Sequence, residues 1–196
     1  MRNPSQTKLN ILVRSGDLFN TQGYRATSIA NITKSTGFTK GAIYRHFENK
    51  EELENQALMH LSTVMFQKLR ERIKKQATAP DKLRSILRFF ESYISNPPLE
   101  GGCPLMNAAI EADDAHPSLK KGANKVLNLL EESIITILDN GIRFKQLKPE
   151  IDKKSLATLL IASLEGAIMM SKLRDDNDAI INVVKHLEIE IKKTEL

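Results

Sequence analysis

Thr39-Lys40-Gly41-Ala42-Ile43-Tyr44-Arg45-His46-Phe47-Glu48-Asn49-Lys50-Glu51-Glu52-Leu53 is the stretch on which the reading of this chain turns. Thr39 is a helix-capping residue type. The spacing predicts a short helix over about 40–47, with Ile43 and Phe47, four apart, packed inward. Lys40, Gly41, Tyr44, Arg45 and His46 then face outward or sideways, so the outer face offers cations, hydrogen-bond donors and one small gap. Asn49 with Glu52 three residues on reads as a capping box for a longer helix over about 50–76. Lys50 sits in its first turn beside unpaired backbone N–H groups, a place that suits a phosphate.

Upstream, residues 5–22 put Leu9, Leu12, Val13, Gly16 and Phe19 on one helical face, and Gly23 supplies a break before Tyr24. Thr27 can cap a second helix over about 28–35, with Ile29 and Ile32 inward and Gly37 at its end. Two short helices joined through a glycine turn, the second bearing basic and aromatic side chains near its start, form the layout of a DNA-reading helix-turn-helix. The long first helix would hold the pair together.

Charge agrees with that reading. Residues 1–50 carry eight Lys/Arg (Arg2, Lys8, Arg14, Arg25, Lys34, Lys40, Arg45, Lys50) against Asp17 and Glu48, while the net charge of all 196 residues is +5. The basic excess is therefore confined to one end, the pattern of a polyanion-binding module on a neutral body. The absence of Trp and the abundance of Leu, Ile and Ala favour an all-α fold. The most apolar stretch, Leu156 to Met170, is shorter than a membrane span and carries Glu165, and no apolar signal core opens the chain. A cytoplasmic protein with no membrane partner is expected, and one cysteine, Cys103, rules out an internal disulfide framework.

Across Gly23-Tyr24, Thr27-Ser28-Ile29, Ile32, Gly37, Thr39-Lys40-Gly41, Ile43-Tyr44, His46-Phe47 and Lys50-Glu51-Glu52-Leu53 the sequence resembles the TetR/AcrR family of bacterial transcriptional regulators. The resemblance implies a helix-turn-helix domain over 1–50 and a helical ligand-binding and dimerisation domain over 51–196, about nine helices in all. It also implies a homodimer on a near-palindromic double-stranded operator, and a repressor released by a small-molecule effector. By position, Thr27, Ser28, Thr39, Tyr44 and Lys50 resemble the family's phosphate contacts, and Lys40, Gly41, Arg45 and His46 its base-edge or groove-facing residues. Arg45 is the best placed for sequence readout, because its forked guanidinium can pair with a guanine edge. Plainer roles stand beside these: Tyr44 packing beneath the fourth helix, His46 as a satisfied neighbour of that helix, Thr39 as a cap alone. Phe38 departs from the small polar residue common in the family there; it either touches a thymine methyl or closes the turn.

The body rests on periodicity and breaks. Pro80 opens a fifth helix bearing Leu83, Ile86, Leu87, Phe90 and Ile94, which stops before Pro97-Pro98. Cys103-Pro104 begins a sixth helix reaching about Ala115, and Pro117 a seventh reaching about Asn140 with Gly141 as its stop; two more follow over about 152–174 and 178–193. The last two are expected to dimerise, through the small residues Ser163, Gly166, Ala167 and Ser171 and the stripe Ile180, Val184, Leu187, Ile191, unless that stripe serves its own body.

Met59, Phe66, Phe89, Phe90, Tyr93, Met106, Ile110 and Met169 lie on helices that in this family surround an effector cavity, and they suit an apolar or aromatic ligand; helical spacing alone also explains each as core. Cys103 at a helix start is either a sensing thiol or an inert one. Glu111, Asp113, Asp114 and His116 lack the spacing of a metal site and read as a solvated helix end. No catalytic arrangement, metal or cofactor is indicated. Two rivals remain: an activator or architectural binder would make the same DNA contacts, whereas the concentrated charge argues against a helical enzyme or ligand binder that keeps the helix-turn-helix only for packing.

Overall fold

A computed structural model describes residues 3–112 and 116–196. Among the described residues there are nine α-helices: α1 (Pro4–Gln22), α2 (Ile29–Thr36), α3 (Lys40–Tyr44), α4 (Lys50–Lys74), α5 (Ala79–Glu91), α6 (Pro104–Glu111), α7 (Pro117–Arg143), α8 (Lys153–Arg174) and α9 (Asp178–Thr194). The fold class is all-α, with one isolated bridge between Leu147 and Glu195. The chain divides into two compact units, one of Met1–Met65 with Leu99–Leu127, the other of Phe66–Pro98 with Asn128–Leu196.

In the first unit, Ile11 and Phe19 of α1, Ile32 of α2, Ile43 of α3 and Leu53 and Leu58 of α4 are fully buried together with Tyr24 and Phe47. Each such side chain contributes roughly 1.5–3 kcal/mol by leaving water. Tyr24 stacks on Phe19 at 5.0 Å between ring centroids, so the residue after the Gly23 break closes the core. Ser28, not Thr27, caps α2: its Oγ accepts from Asn31 N at 3.2 Å, and Asn31 Oδ1 accepts from Ser28 N at 2.8 Å. Gly37 then ends α2 in the left-handed region at φ 70°. α3 is shorter than the spacing suggested, because Arg45 and His46 form a turn and Phe47 enters the core beyond it.

Helix α6 is tied to the end of α1 by side chains the periodicity did not single out. Asn20 Nδ2 donates to Glu100 O at 2.5 Å and Gly102 O at 3.0 Å, and Asn107 Nδ2 donates to Asn20 O and Gly101 O, both at 3.1 Å. Glu111 accepts from Tyr24 N and Arg25 N, each at 2.9 Å. Glu111 and His116 are thus not a solvated helix end: two backbone donors claim the first and a buried carboxylate the second, while Asp113, Asp114 and the expected extension to Ala115 lie outside the described residues.

In the second unit, α5 turns Leu83, Ile86, Leu87, Phe89 and Phe90 inward and packs on α9, which also lies along α8. Ile180, Val184, Leu187 and Ile191 are all buried within the single chain, so this stripe is internal core and not a dimer face. Ala167 and Ser171 are buried as well, Ser171 Oγ accepting from Ile180 N at 3.2 Å. What α8 leaves uncovered is a seam at alternating three- and four-residue spacing: Leu159, Ala162, Gly166, Met169 and Leu173. Leu173 is 78% exposed. By length and apolar content α8 would pass for a membrane span, yet Leu160, Leu164 and Ile168 are core. Gly141 does not stop α7: it lies within the helix, where a Cβ would come 2.4 Å from Leu147 Cδ1 and 2.7 Å from Ala79 Cβ. The glycine is there for close approach, and the chain turns at Lys145, φ 54°.

Candidate nucleic-acid interface

Helix α3 is oriented from beneath by Ile43, buried in the core, and from its start by Thr39, whose Oγ1 accepts from Ala42 N at 3.2 Å. That cap fixes the start of α3, where Thr39 and Lys40 are exposed. Lys40 Nζ lies 5.8 Å from the Tyr44 ring centroid, so an exposed cation and a 37% exposed aromatic form one patch. Nothing lies within 4 Å of where a Gly41 Cβ would be, which leaves room for close approach of a partner. Arg45, the C-cap, is exposed beside them, and His46 is half-buried against Phe47, ring centroids 6.4 Å apart. Lys40, Gly41, Tyr44 and Arg45 are thereby brought onto one open face, with Ser28 exposed at the start of α2.

Thr27 departs from its expected place. Its side chain is fully buried and Oγ1 donates to Gly23 O at 2.7 Å, so the hydroxyl serves the α1–α2 turn and not a phosphate. Phe38 is half-buried, its backbone N donating to Thr36 Oγ1 at 3.2 Å in the turn between α2 and α3.

Lys50 opens α4 with Asn49 Oδ1 accepting from Glu52 N at 2.8 Å; the other half of the expected box is displaced by one residue, Glu52 accepting from Glu48 N at 2.5 Å. Lys50 Nζ donates to Tyr24 O at 2.7 Å and pairs with Glu54 at 3.0 Å. Glu54 is 1% exposed, and its other oxygen meets His116 Nε2 at 2.7 Å. An ammonium has three N–H donors. With two committed here, one is left to point at a ligand. Glu54 was legible in principle, standing four residues after Lys50 on one helix face; Glu111 was not, since nothing local links it to residues 24 and 25.

In the first unit Tyr24 and Asp17 titrate away from their ordinary values. Burial, then the carboxylates Glu111 and Glu54, raise the Tyr24 phenol, which stays neutral. Burial and Glu100 raise Asp17 against the opposing pull of Arg14 and His60.

The residues expected to meet an effector are divided between the two units. Phe89, Phe90 and Tyr93 form a buried aromatic cluster with centroids 5.5–5.8 Å apart. Phe66 and Met106 are half-buried, and Met59 lines a shallow groove of about 360 Å³ with Leu12 and His60. Ile110 and Met169 are 66% and 42% exposed, which places them on the outside of the chain and not around a cavity. Cys103, at the start of α6, is fully buried, the environment of an inert thiol.

Comparison with known proteins bears on the whole chain. Residues 11–57 match the family described as bacterial regulatory proteins, tetR family, and residues 79–187 match the tetracyclin repressor-like C-terminal domain. A TetR transcriptional regulator from Chloroflexus aurantiacus J-10-FL superposes with a TM-score of 0.93 at 34% identity, covering 100% of this chain and 98% of that one. The HTH-type transcriptional repressor DhaR of Mycobacterium sp. (strain GP1) is 27% identical over 88% of each chain. A cysteine mutant of the TetR family regulator CifR, solved with 26-bp double-strand operator DNA, shares the fold at TM-score 0.82 and 21% identity, over 91% of this chain and 93% of that one. A helix-turn-helix with an open basic face, joined to a body that the second family model matches over more than half the chain, leaves one conclusion: this protein belongs to the TetR/AcrR family of DNA-binding transcriptional regulators, which are not enzymes.

Proposed function

We propose that the protein is a homodimeric repressor that holds a palindromic operator and releases it when a small molecule binds the body. The observation that carries this is the face of α3: Lys40, Tyr44 and Arg45 surround the open position at Gly41 while Ile43 anchors the helix from below. Ser28, Thr39, Tyr44 and Lys50 are the phosphate clamps; Lys40, Gly41, Arg45 and His46 meet the groove, with Arg45 reading a base edge. Residues 1–50 carry this role and residues 51–196 carry dimerisation and effector binding.

Dimerisation runs through α8 and α9, using the uncovered seam Leu159, Ala162, Gly166, Met169 and Leu173 with Ile189 of α9, which is 54% exposed. An apolar row of this kind on one chain is supported as an interface by its spacing and by the small residues that permit close helix approach. The effector is apolar or aromatic, matched within the second unit to Phe89, Phe90, Tyr93 and the half-buried Phe66. The sign of regulation follows the name of the DhaR relative, and the working place is the cytoplasm.

The test is Arg45→Ala in a binding assay against a preferred duplex and its single-base variants. Loss of discrimination at one symmetric pair of base positions, with about 1–3 kcal/mol lost on the preferred sequence, is expected. Unchanged discrimination at every position would remove Arg45 from the readout.

A further inference from the structure

Within the second unit, the last turns of α4 and the outer face of α5 enclose a groove of about 400 Å³. Four cations line it, Arg72 and Lys75 from one side and Arg84 and Arg88 from the other, with Asp81 as the single lining acid. Asp81 is already engaged: its Oδ2 accepts from Thr78 Oγ1 at 2.6 Å, and its Oδ1 pairs with Arg84 at 3.3 Å. Arg84 also pairs with Glu195, and Arg88 with Glu188 at 2.8 Å. Those carboxylates engage both α5 arginines. Arg72 and Lys75 make no ion pair among the described residues.

Arg72 is held in another way. Its guanidinium carbon lies 5.2 Å from the centroid of Phe89, a ring that is 1% exposed. Stacking on an aromatic face orients a guanidinium while leaving its in-plane N–H donors unused. A pre-oriented fork without a carboxylate, an unpaired ammonium one turn on, and two further arginines facing them make a concave site with excess positive charge. A cation near the end of α4 is also what the helix dipole favours, but the dipole does not explain why the α5 arginines face the same groove.

We infer that this groove binds a small phosphate-bearing anion of two or more charges. The lining Ser85 hydroxyl and Gln76 amide add neutral donors, and the volume admits a diphosphate with a modest organic body. The groove shares Phe89 with the aromatic cluster assigned to the effector, and here the ring serves only to orient Arg72.

The test is calorimetric titration of the full-length protein with inorganic pyrophosphate at low salt. Saturable binding of one pyrophosphate per chain is expected, weakened about tenfold or more by Arg72→Gln and by Lys75→Ala, and unchanged by Lys154→Ala, an exposed cation of α8 outside the groove. Thermal melts of both groove variants establish that they fold, and Lys75→Ala, on an exposed position, keeps the test decisive if Arg72→Gln does not. Absence of saturable binding, equal affinity in all variants, or loss only with Arg45→Ala or Lys50→Ala would overturn the inference. Affinity for duplex DNA is expected to be the same in wild type and Lys75→Ala. If duplex affinity falls in parallel with pyrophosphate affinity, the groove takes a nucleic-acid phosphate and the small-anion inference is overturned.

Discussion

At Lys50 one ammonium is shared among a backbone carbonyl, a buried carboxylate and the direction from which DNA would come. The bonds to Tyr24 O and Glu54 fix the side chain before any ligand arrives, so little conformational freedom is lost on meeting a phosphate. Lys50→Ala is expected to weaken binding to all duplexes alike and to flatten the salt dependence by about one counterion. It also leaves Glu54 with His116 as its remaining partner, and thermal stability is expected to fall by about 1–3 kcal/mol. An affinity loss confined to one sequence would contradict the phosphate role.

Asp17 gives the opposite sign. Its carboxyl is raised above 3.8 by burial and by Glu100, so the folded state binds its proton more tightly than the unfolded chain, and ionisation opposes folding as pH rises through the raised value. Asp17→Asn is therefore expected to raise the melting temperature at neutral pH, with the gain shrinking as pH falls toward the carboxylate range. A lower melting temperature at pH 7 would contradict this.

At the scale of elements, most helices were legible because apolar spacing and breaks are local signals. Pro80, Pro104 and Pro117 stand in the first turns of α5, α6 and α7, and Gly23 and Gly37 follow α1 and α2. What failed was non-local. Gly141 read as a stop because glycine usually ends a helix, yet here the approach of Leu147 and Ala79 excludes a side chain. The stripe on α9 read as an interface because an amphipathic face does not name its partner; α5 and α8 are that partner.

The residues proposed to face DNA came from the motif, in which Thr27 was not separable from Ser28 by residue type, since both hydroxyls suit a cap or a phosphate and only burial divides them. The face that α8 leaves open carries the next prediction. Leu173→Glu together with Met169→Asp is expected to convert the dimer to monomer in light-scattering measurements and to abolish tight operator binding while leaving the helical content intact. A dimer that persists in this double variant would place the interface elsewhere.

At the scale of the whole molecule, charge supplies affinity and symmetry supplies specificity. A net charge of +5 and a pI near 9.3, with the basic excess in the first fifty residues, supply attraction to any duplex. Specificity needs two copies of α3 presented together, because a helix of five residues reaches few base edges by itself. Recovery of bound duplexes from a random DNA pool with the purified full-length protein tests that most directly. Enrichment of a two-fold symmetric sequence is expected, with half-sites about one helical turn, or a multiple of it, apart. Enrichment of a single asymmetric half-site, or of no sequence at all under effector-free conditions, would contradict it.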